Sequence, residues 1–334
     1  MSWPPRVWVL ADERPGNANQ ALGVAEALGW PFEVKPLRFG RLARLPNLVL
    51  GRSLAGLTKS SRTALAPPWP DLVIAAGRRS APVACCLKRR HPGAFLVQLM
   101  WPGSATGLDL IAVPEHDRAR EAPNLIRTLG APHRITAARL AEAGAAFAPR
   151  HAHLPRPWIA CLIGGSSRHG RFSPDHAAHL AREAVALAEA RSGSLLAVTS
   201  RRTGAACEQA LAGSLAGSAH ALHRWSRSGE NPYLGVLGSA DAVLVTADSA
   251  SMCTEACASG RPVFLCRAGM RVPQKLERLH RRLEQVGHLR PIGAPWPDRI
   301  PPALRPAETV ASAIRERLRV ASAPGRVARA APGN

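Results

Sequence analysis

Short apolar runs alternate with longer Ala- and Leu-rich stretches of helical spacing along nearly the whole chain. In the first half, "RVWVLA" precedes a helical pattern from Asn19 to Leu28, and "FEVKPL" follows. Then come "PDLVIAAG", a helix through "APVACCLKRR", "AFLVQLM" and "LDLIAVP". The second half repeats the alternation: "WIACLIGG", a helix over 174–191, "SLLAVTS", a helix through "ACEQALAG", "ALHRW", "DAVLVTA", a helix over 251–259 and "PVFLC". The strands are almost uninterrupted apolar runs, as expected where both faces of a parallel sheet are covered by helices. The pattern predicts an α/β protein of two doubly wound, Rossmann-like parallel-sheet domains, with a ligand cleft between them at the carboxyl ends of the strands.

Punctuation sets the expected boundaries. Pro155 and Pro157 separate a helical stretch from a fresh strand, which puts an N-terminal domain at 1–152 and a C-terminal one at 153–304. A helix at 305–320 is expected to pack back across the domains, and the Ala-, Arg- and Pro-rich residues 321–334 read as a disordered tail. "QKLERLHRRLEQVG" sets Leu276, Leu279, Leu283 and Val286 on one stripe. That is the pattern of an amphipathic surface helix, with a membrane-surface role as its alternative.

Charge and cysteine narrow the classes. Lys and Arg number 44 against 23 Asp and Glu, a net +21 over 334 residues, so anionic partners are favoured unless a compositional bias toward Arg explains the excess. Nucleic acid is not expected, because aromatic residues are only 4% and no finger, helix-turn-helix or ribonucleoprotein signature occurs. An anionic membrane surface, a lipid-linked acceptor, a protein partner or a phosphorylated small molecule remain. The seven cysteines include no C-x-x-C pair and sit in apolar surroundings, as reduced core thiols do. Cys253 and Cys257 lie four apart, but no histidine or second pair completes a metal site, so none is expected. With no signal peptide or membrane-length apolar run, the chain reads as cytoplasmic, with peripheral association with the inner membrane open.

Three strand-to-helix junctions of the second half carry small or hydroxyl residues: Gly164-Gly165-Ser166, Ser200-Arg201-Arg202, and Thr246 with Asp248, Ser249, Ser251 and Met252. Helix N-termini offer unpaired N–H groups and a positive dipole end, and arginine adds a forked donor, so these junctions suit a phosphorylated ligand. Each one alone is equally explained by helix capping. Glu255 is not accounted for by a capping box, since Ser251 lies four rather than three residues before it. A carboxylate there can accept from vicinal sugar hydroxyls or simply complement the helix dipole.

A hydroxyl-rich turn, a short helix with Glu255, then Gly260-Arg261-Pro262 and a strand resemble the nucleotide-sugar motif of GT-B glycosyltransferases. In that superfamily the glutamate holds the ribose and a glycine-rich loop faces the diphosphate, roles that fall here on Glu255 and Gly164–Ser166. A closer resemblance covers almost the whole chain: the mitochondrial-fission family named for elongated mitochondria in plants, which has bacterial members. It is carried by "DERPGNANQALGVAEAL", "VPEHDRAREAPNLIRTLGAPHRI", "LIGGSSRHGRF", "TSRRT", the stretch from Gly229 to Val263 and the helix bearing Lys275. The family pattern opens Asp-Gly-Arg-Pro-Gly, and Glu13 stands here where that glycine would be.

The resemblance implies a nucleotide-diphospho-sugar as substrate, with no bound cofactor. Glycosyl transfer without a divalent metal fits the lack of any Asp-x-Asp. Asn231 and Tyr233 would lie near the base, or equally mark a helix start with Pro232 at its first turn. The acceptor side would be formed by Asp12, Arg14, Pro15, Gly16, Asn17 and Gln20 with Gly77 and Arg78, although a plain strand-to-helix turn uses Pro-Gly-Asn equally well. His116 with Asp117, in the single acid–histidine–acid cluster, would be the general base, or equally part of a polar surface turn. A nucleotide-sugar epimerase on the same fold, and a non-catalytic adaptor that recruits a protein partner, are the competing readings.

Overall fold

The computed structural model describes residues 4–104, 106–167, 170–225 and 229–322. The chain divides into two compact units, the first running to Arg134 and resuming at Arg305, the second spanning Ile135–Leu304.

In the first unit the strands are β1 (Val7–Asp12), β2 (Phe32–Leu37), β3 (Leu72–Ala76), β4 (Phe95–Leu99), β5 (Leu110–Pro114) and β6 (Leu125–Thr128). They form one parallel sheet in the order β2-β1-β3-β4-β5-β6. The helices before the boundary are α1 (Pro15–Leu28), the short α2 (Asn47–Leu50) and α3 (Lys59–Thr63), and α4 (Ala81–Arg90). Side chains alternate across a strand. Val7 and Val9 therefore face a cluster with Val24 and Leu28 of α1, whereas Trp8 and Leu10 face one with Val83 and Leu87 of α4.

The second unit contains α5 (Ala137–Phe147), β7 (Trp158–Leu162), α6 (Pro174–Glu189), β8 (Ser194–Val198), α7 (Ala205–Leu215), β9 (His220–His223) and α8 (Tyr233–Ser239). It continues with β10 (Ala242–Thr246), α9 (Ala250–Cys257), β11 (Val263–Cys266), α10 (Gln274–Gln285) and the two-residue β12 (Arg290–Pro291). Its parallel sheet has the order β12-β11-β10-β7-β8-β9. Ile159, Leu195, Leu244 and Phe264 meet Leu180 of α6 and Leu211 of α7 in its core. The last helix, α11 (Pro306–Ser322), returns to the first unit, where Val310, Ile314 and Leu318 join the α1 side of the sheet. Arg315 of α11 donates to Ala27 O at 2.7 Å and Leu28 O at 3.0 Å, carbonyls that α1 leaves unpaired at its end.

One expected boundary needs adjusting. Residues 135–152 belong with the second unit, not the first, because α5 is committed to α8. Gly144, Gly235 and Gly238 let the two helices touch backbone to backbone: a Cβ added at Gly238 would lie 2.1 Å from Leu140 O. The stripe of α10 is turned inward, with Leu279 and Leu283 buried, as expected of an amphipathic surface helix, so its apolar face is already used within the unit. Of the tail expected at 321–334, α11 takes in 321 and 322, and the remainder lies outside the described residues. The cysteines are all unpaired thiols. Burial pushes the Cys257 thiol up to about 12 and Cys253 well above its ordinary value, so both stay protonated and structural.

In each sheet the strand order reverses once, between β1 and β3 and between β7 and β10. In open α/β sheets ligands bind outside the carboxyl ends of the strands at such reversals.

Candidate functional site

At the reversal in the second unit, the loops after β7, β8 and β10 are knitted together by their own polar groups. Gly164 N–H donates to Thr246 Oγ1 at 2.9 Å, and Gly165 N–H to Asp248 Oδ2 at 3.0 Å. Thr246 Oγ1 donates to Asp248 Oδ1 at 2.6 Å, while Arg202 Nη1 pairs with Asp248 Oδ2 at 2.6 Å and donates to Gly165 O at 3.1 Å. Ser200 Oγ and Thr203 Oγ1 both donate to Gly164 O, at 2.9 and 2.5 Å. The sequence offered Thr246, Asp248, Ser200 and Arg202 to a diphosphate. Here these groups hold one another and fix the shape of the loop, with Asp248 as the hub. Ser166 Oγ accepts from Phe172 N–H at 2.9 Å, and Arg201 is exposed.

The glycines are required by proximity. A Cβ on Gly164 would sit 2.2 Å from Asp248 Oδ2, and one on Gly165 would sit 2.1 Å from Arg202 O. Ser249 caps α9, accepting from Met252 N–H at 3.4 Å, and Ser251 Oγ lies 3.3 Å from Ser249 Oγ. The residue three beyond the cap is Met252, so no capping box forms and Glu255 has another role.

Beside this loop lies a cavity of about 290 Å³. Gly165, Asp248 and Ala250 form one wall, and Arg171, Arg271 and Lys275 contribute cations to the lining. All three cationic side chains are exposed, and two of them lie at or near the N-terminus of α10. The sequence reading placed Lys275 only within a matched stretch and did not single out Arg171 or Arg271. Arg171 also lies within a matched stretch, "LIGGSSRHGRF", whereas the excess of positive charge was the only signal for Arg271.

A second cavity, of about 210 Å³, opens where β8 and β9 end, lined by Thr199, His223, Trp225, Asn231 and Pro232 among others. Asn231 Oδ1 accepts from Tyr233 N–H at 3.1 Å, and Tyr233 Oη donates to Glu255 Oε2 at 2.7 Å. One helix therefore links the two cavities: Ala250 of α9 lines the first, and Glu255 farther along α9 bonds the residue that follows the Pro232 wall of the second. Burial pushes the Glu255 carboxyl above its ordinary value, partly offset by the Tyr233 hydroxyl, and the same burial beside Glu255 pushes the Tyr233 hydroxyl well above its own.

That pair makes a pH-dependent prediction. A carboxyl whose folded pKa is raised contributes nothing below its unfolded value near 4.5 and is destabilising once pH exceeds the folded value. Tyr233→Phe removes the hydroxyl that solvates the anion. It should cost about 1–3 kcal/mol above the folded pKa and distinctly less near pH 4, read as the melting-temperature difference from wild type at the two pH values.

The reversal in the first unit is built in a similar way. Asp12 is buried at the end of β1, pairs with Arg79 and accepts from Asn17 Nδ2 at 2.8 Å and Arg14 N–H at 3.2 Å. Gly77, at φ +83°, leaves room for Asn17, whose Nδ2 would be 2.4 Å from a Cβ there. Pro15 and Gly16 begin α1, and Gln20 Nε2 approaches Met100 Sδ at 3.8 Å. Glu13, at the family's glycine position, has no positive φ and uses its carboxylate to accept from Phe39 N–H at 2.6 Å. Arg78 is turned away from these groups and donates to Leu45 O at 2.6 Å and Ala43 O at 2.8 Å. His116 is buried after β5, with Nε2 3.8 Å from Asp117 Oδ1, an ion-pair separation rather than a hydrogen bond.

Against known families, residues 15–318 match Mitochondrial fission ELM1. The chain belongs to that family. An uncharacterised protein of Rickettsia prowazekii is 27% identical over 297 residues, 78% of this chain and 82% of that protein. The mitochondrial fission protein ELM1 of Arabidopsis thaliana is 29% identical over 244 residues, 66% of this chain, and the match spans 57% of the plant protein's length. Among solved structures, the UDP-GlcNAc 2-epimerase of Methanocaldococcus jannaschii superposes with a TM-score of 0.56 at 11% identity, over 93% of this chain and 99% of that one. The UDP-GlcNAc 2-epimerase of Neisseria meningitidis, bound to UDP-GlcNAc, does so at 0.51 and 13%, over 94% and 100%. At these identities the likeness is one of fold, the GT-B type with two parallel-sheet units. Among the described residues no helix is long and apolar enough to cross a membrane.

Proposed function

We propose that the second unit binds a nucleotide-diphospho-sugar and that the protein transfers the sugar to an acceptor without a divalent metal. The observation that carries this reading is the cavity at the β7/β10 reversal, whose lining brings Arg171, Arg271 and Lys275 together with Gly165 and Asp248. An anion of two phosphates is matched there by three cations and by the N-terminal ends of α9 and α10. The base would enter the second cavity beside Trp225 and Asn231. Tyr233 engages Oε2 of Glu255 and leaves Oε1 to accept from a ribose hydroxyl. In the transfer step the leaving diphosphate gains charge, which the same three cations stabilise in place. His116, with Asp117 beside it, is the base proposed for the acceptor hydroxyl.

Thermal melting in the presence of UDP-GlcNAc, UDP and other nucleotides tests the reading. A specific upward shift is expected from one nucleotide class. Arg271→Ala with Lys275→Ala should weaken that binding about tenfold or more while leaving the unliganded transition in place, because both side chains are exposed. If no nucleotide or nucleotide sugar shifts the transition, the reading fails in favour of a non-catalytic adaptor that recruits a protein partner.

A further inference from the structure

Among the described residues, seven large apolar side chains are exposed, and four of them, Leu42, Leu45, Leu48 and Val49, fall within 42–49. Leu48 is 95% and Val49 67% exposed. The segment is not a loose end of the core, because Ala43 and Leu50 in the same turns are buried. It is also held from behind. Arg78 donates to Ala43 O and Leu45 O, and Asn47 Nδ2 donates to Arg78 O and Pro102 O, both at 2.9 Å. An apolar tip is thus presented on a fixed mount. Exposed apolar clusters of this kind mark contact surfaces.

Its surroundings define the partner. Between Glu33 and Asp71 the chain contains no acidic residue and seven Lys or Arg. Arg38, Arg41, Arg44, Arg52 and Lys59 are exposed. The bridge between Phe39 and Leu57, and the bond from Gly40 N–H to Gly56 O at 2.9 Å, fold the two halves of this stretch against each other. Cations from both halves consequently share one neighbourhood with the tip. A second copy of the chain would bring the same cations to the contact and be repelled. An anionic lipid surface satisfies both features, with apolar side chains entering the headgroup boundary and cations meeting phosphate.

We infer that residues 38–59 form a membrane-docking surface for anionic bilayers, with Leu48 and Val49 as its inserting tip. This is independent of the nucleotide-sugar reading. The test is flotation of the full chain with vesicles of phosphatidylcholine alone or mixed with phosphatidylglycerol. Wild type should bind the mixed vesicles and bind the neutral ones far less. Leu48→Ser with Val49→Ser should lower the apparent affinity about tenfold or more without changing the melting temperature. Arg41→Glu with Arg44→Glu should do the same. Arg118→Glu with Arg120→Glu, an equal change of net charge elsewhere on the first unit, should change it less than about twofold. Four results would overturn the inference. Wild type could fail to bind the mixed vesicles, or the Leu48/Val49 variant could bind like wild type. The Arg118/Arg120 variant could lose as much as the Arg41/Arg44 variant. Finally, light scattering could reveal a dimer that the Leu48/Val49 variant dissolves, in the absence of any vesicle binding.

Discussion

Replacing Asp248 with alanine should lower the melting temperature of the second unit by about 6–12 °C, equivalent to a loss of about 3 kcal/mol in a body of this size. The side chain is only 10% accessible and receives three donors: Gly165 N–H, Thr246 Oγ1 and Arg202. Removal leaves a backbone N–H and a hydroxyl without their acceptor and a guanidinium without its countercharge. Each buried donor left unmade costs about 1–3 kcal/mol, and the partly exposed Arg202 recovers some of its share from water. Asp248→Asn, which keeps one acceptor oxygen, should lose about half as much. Calorimetry of the two variants beside wild type decides the matter. Equal melting of wild type and Asp248→Ala would mean that the loop does not depend on this hub.

Gly238→Ala is expected to be of similar severity, about 3 kcal/mol, for a steric reason. The added methyl would meet Leu140 O at 2.1 Å and Gly144 N at 3.1 Å, both main-chain atoms of α5. A side chain could turn aside, but a helix backbone can only be pushed away. Separating α5 from α8 would also open the packing around Phe147, which lies against Gly235. Gly213→Ala in α7 supplies the control. Nothing lies within 4 Å of its Cβ position, so alanine there should stabilise by about 0.5–1 kcal/mol through helix propensity. Denaturant titration of both variants should therefore give changes of opposite sign.

The parallel sheets were legible because every central strand reads as a continuous apolar run, and the pattern of β7, β8 and β10 leaves little else to fit. Two of the edge strands, β6 and β12, were not. β6 carries Arg127 between Ile126 and Thr128, and β12 is two residues long. Both pair through main-chain bonds that carry no compositional mark. A helical stretch before Pro155 was visible, yet its allegiance was not, because glycine-mediated contact with α8 involves partners far apart in sequence. Likewise, hydroxyl and carboxylate residues after β10 announced a polar site, but nothing local distinguishes an aspartate that meets a ligand from one that braces a loop. Asp248 is the case in point. Arg171 and Arg271 enter the lining through loops whose path only the tertiary fold determines. The Glu255–Tyr233 pair was half visible: each residue stood out alone, and their bond depends on how α8 meets α9.

The return of α11 to the first unit has a bearing on biosynthesis. The ribosome makes residues up to 134 first, but Val310, Ile314 and Leu318, which complete that sheet's outer face, come more than a hundred residues later. At about 5–20 residues per second, the interval between Arg134 and Arg305 is on the order of ten to thirty seconds. During it the second unit can emerge and close on itself, while the first waits with Val9, Val24 and Ile74 incompletely covered. Of the two units, the one translated first is thus the last to be finished.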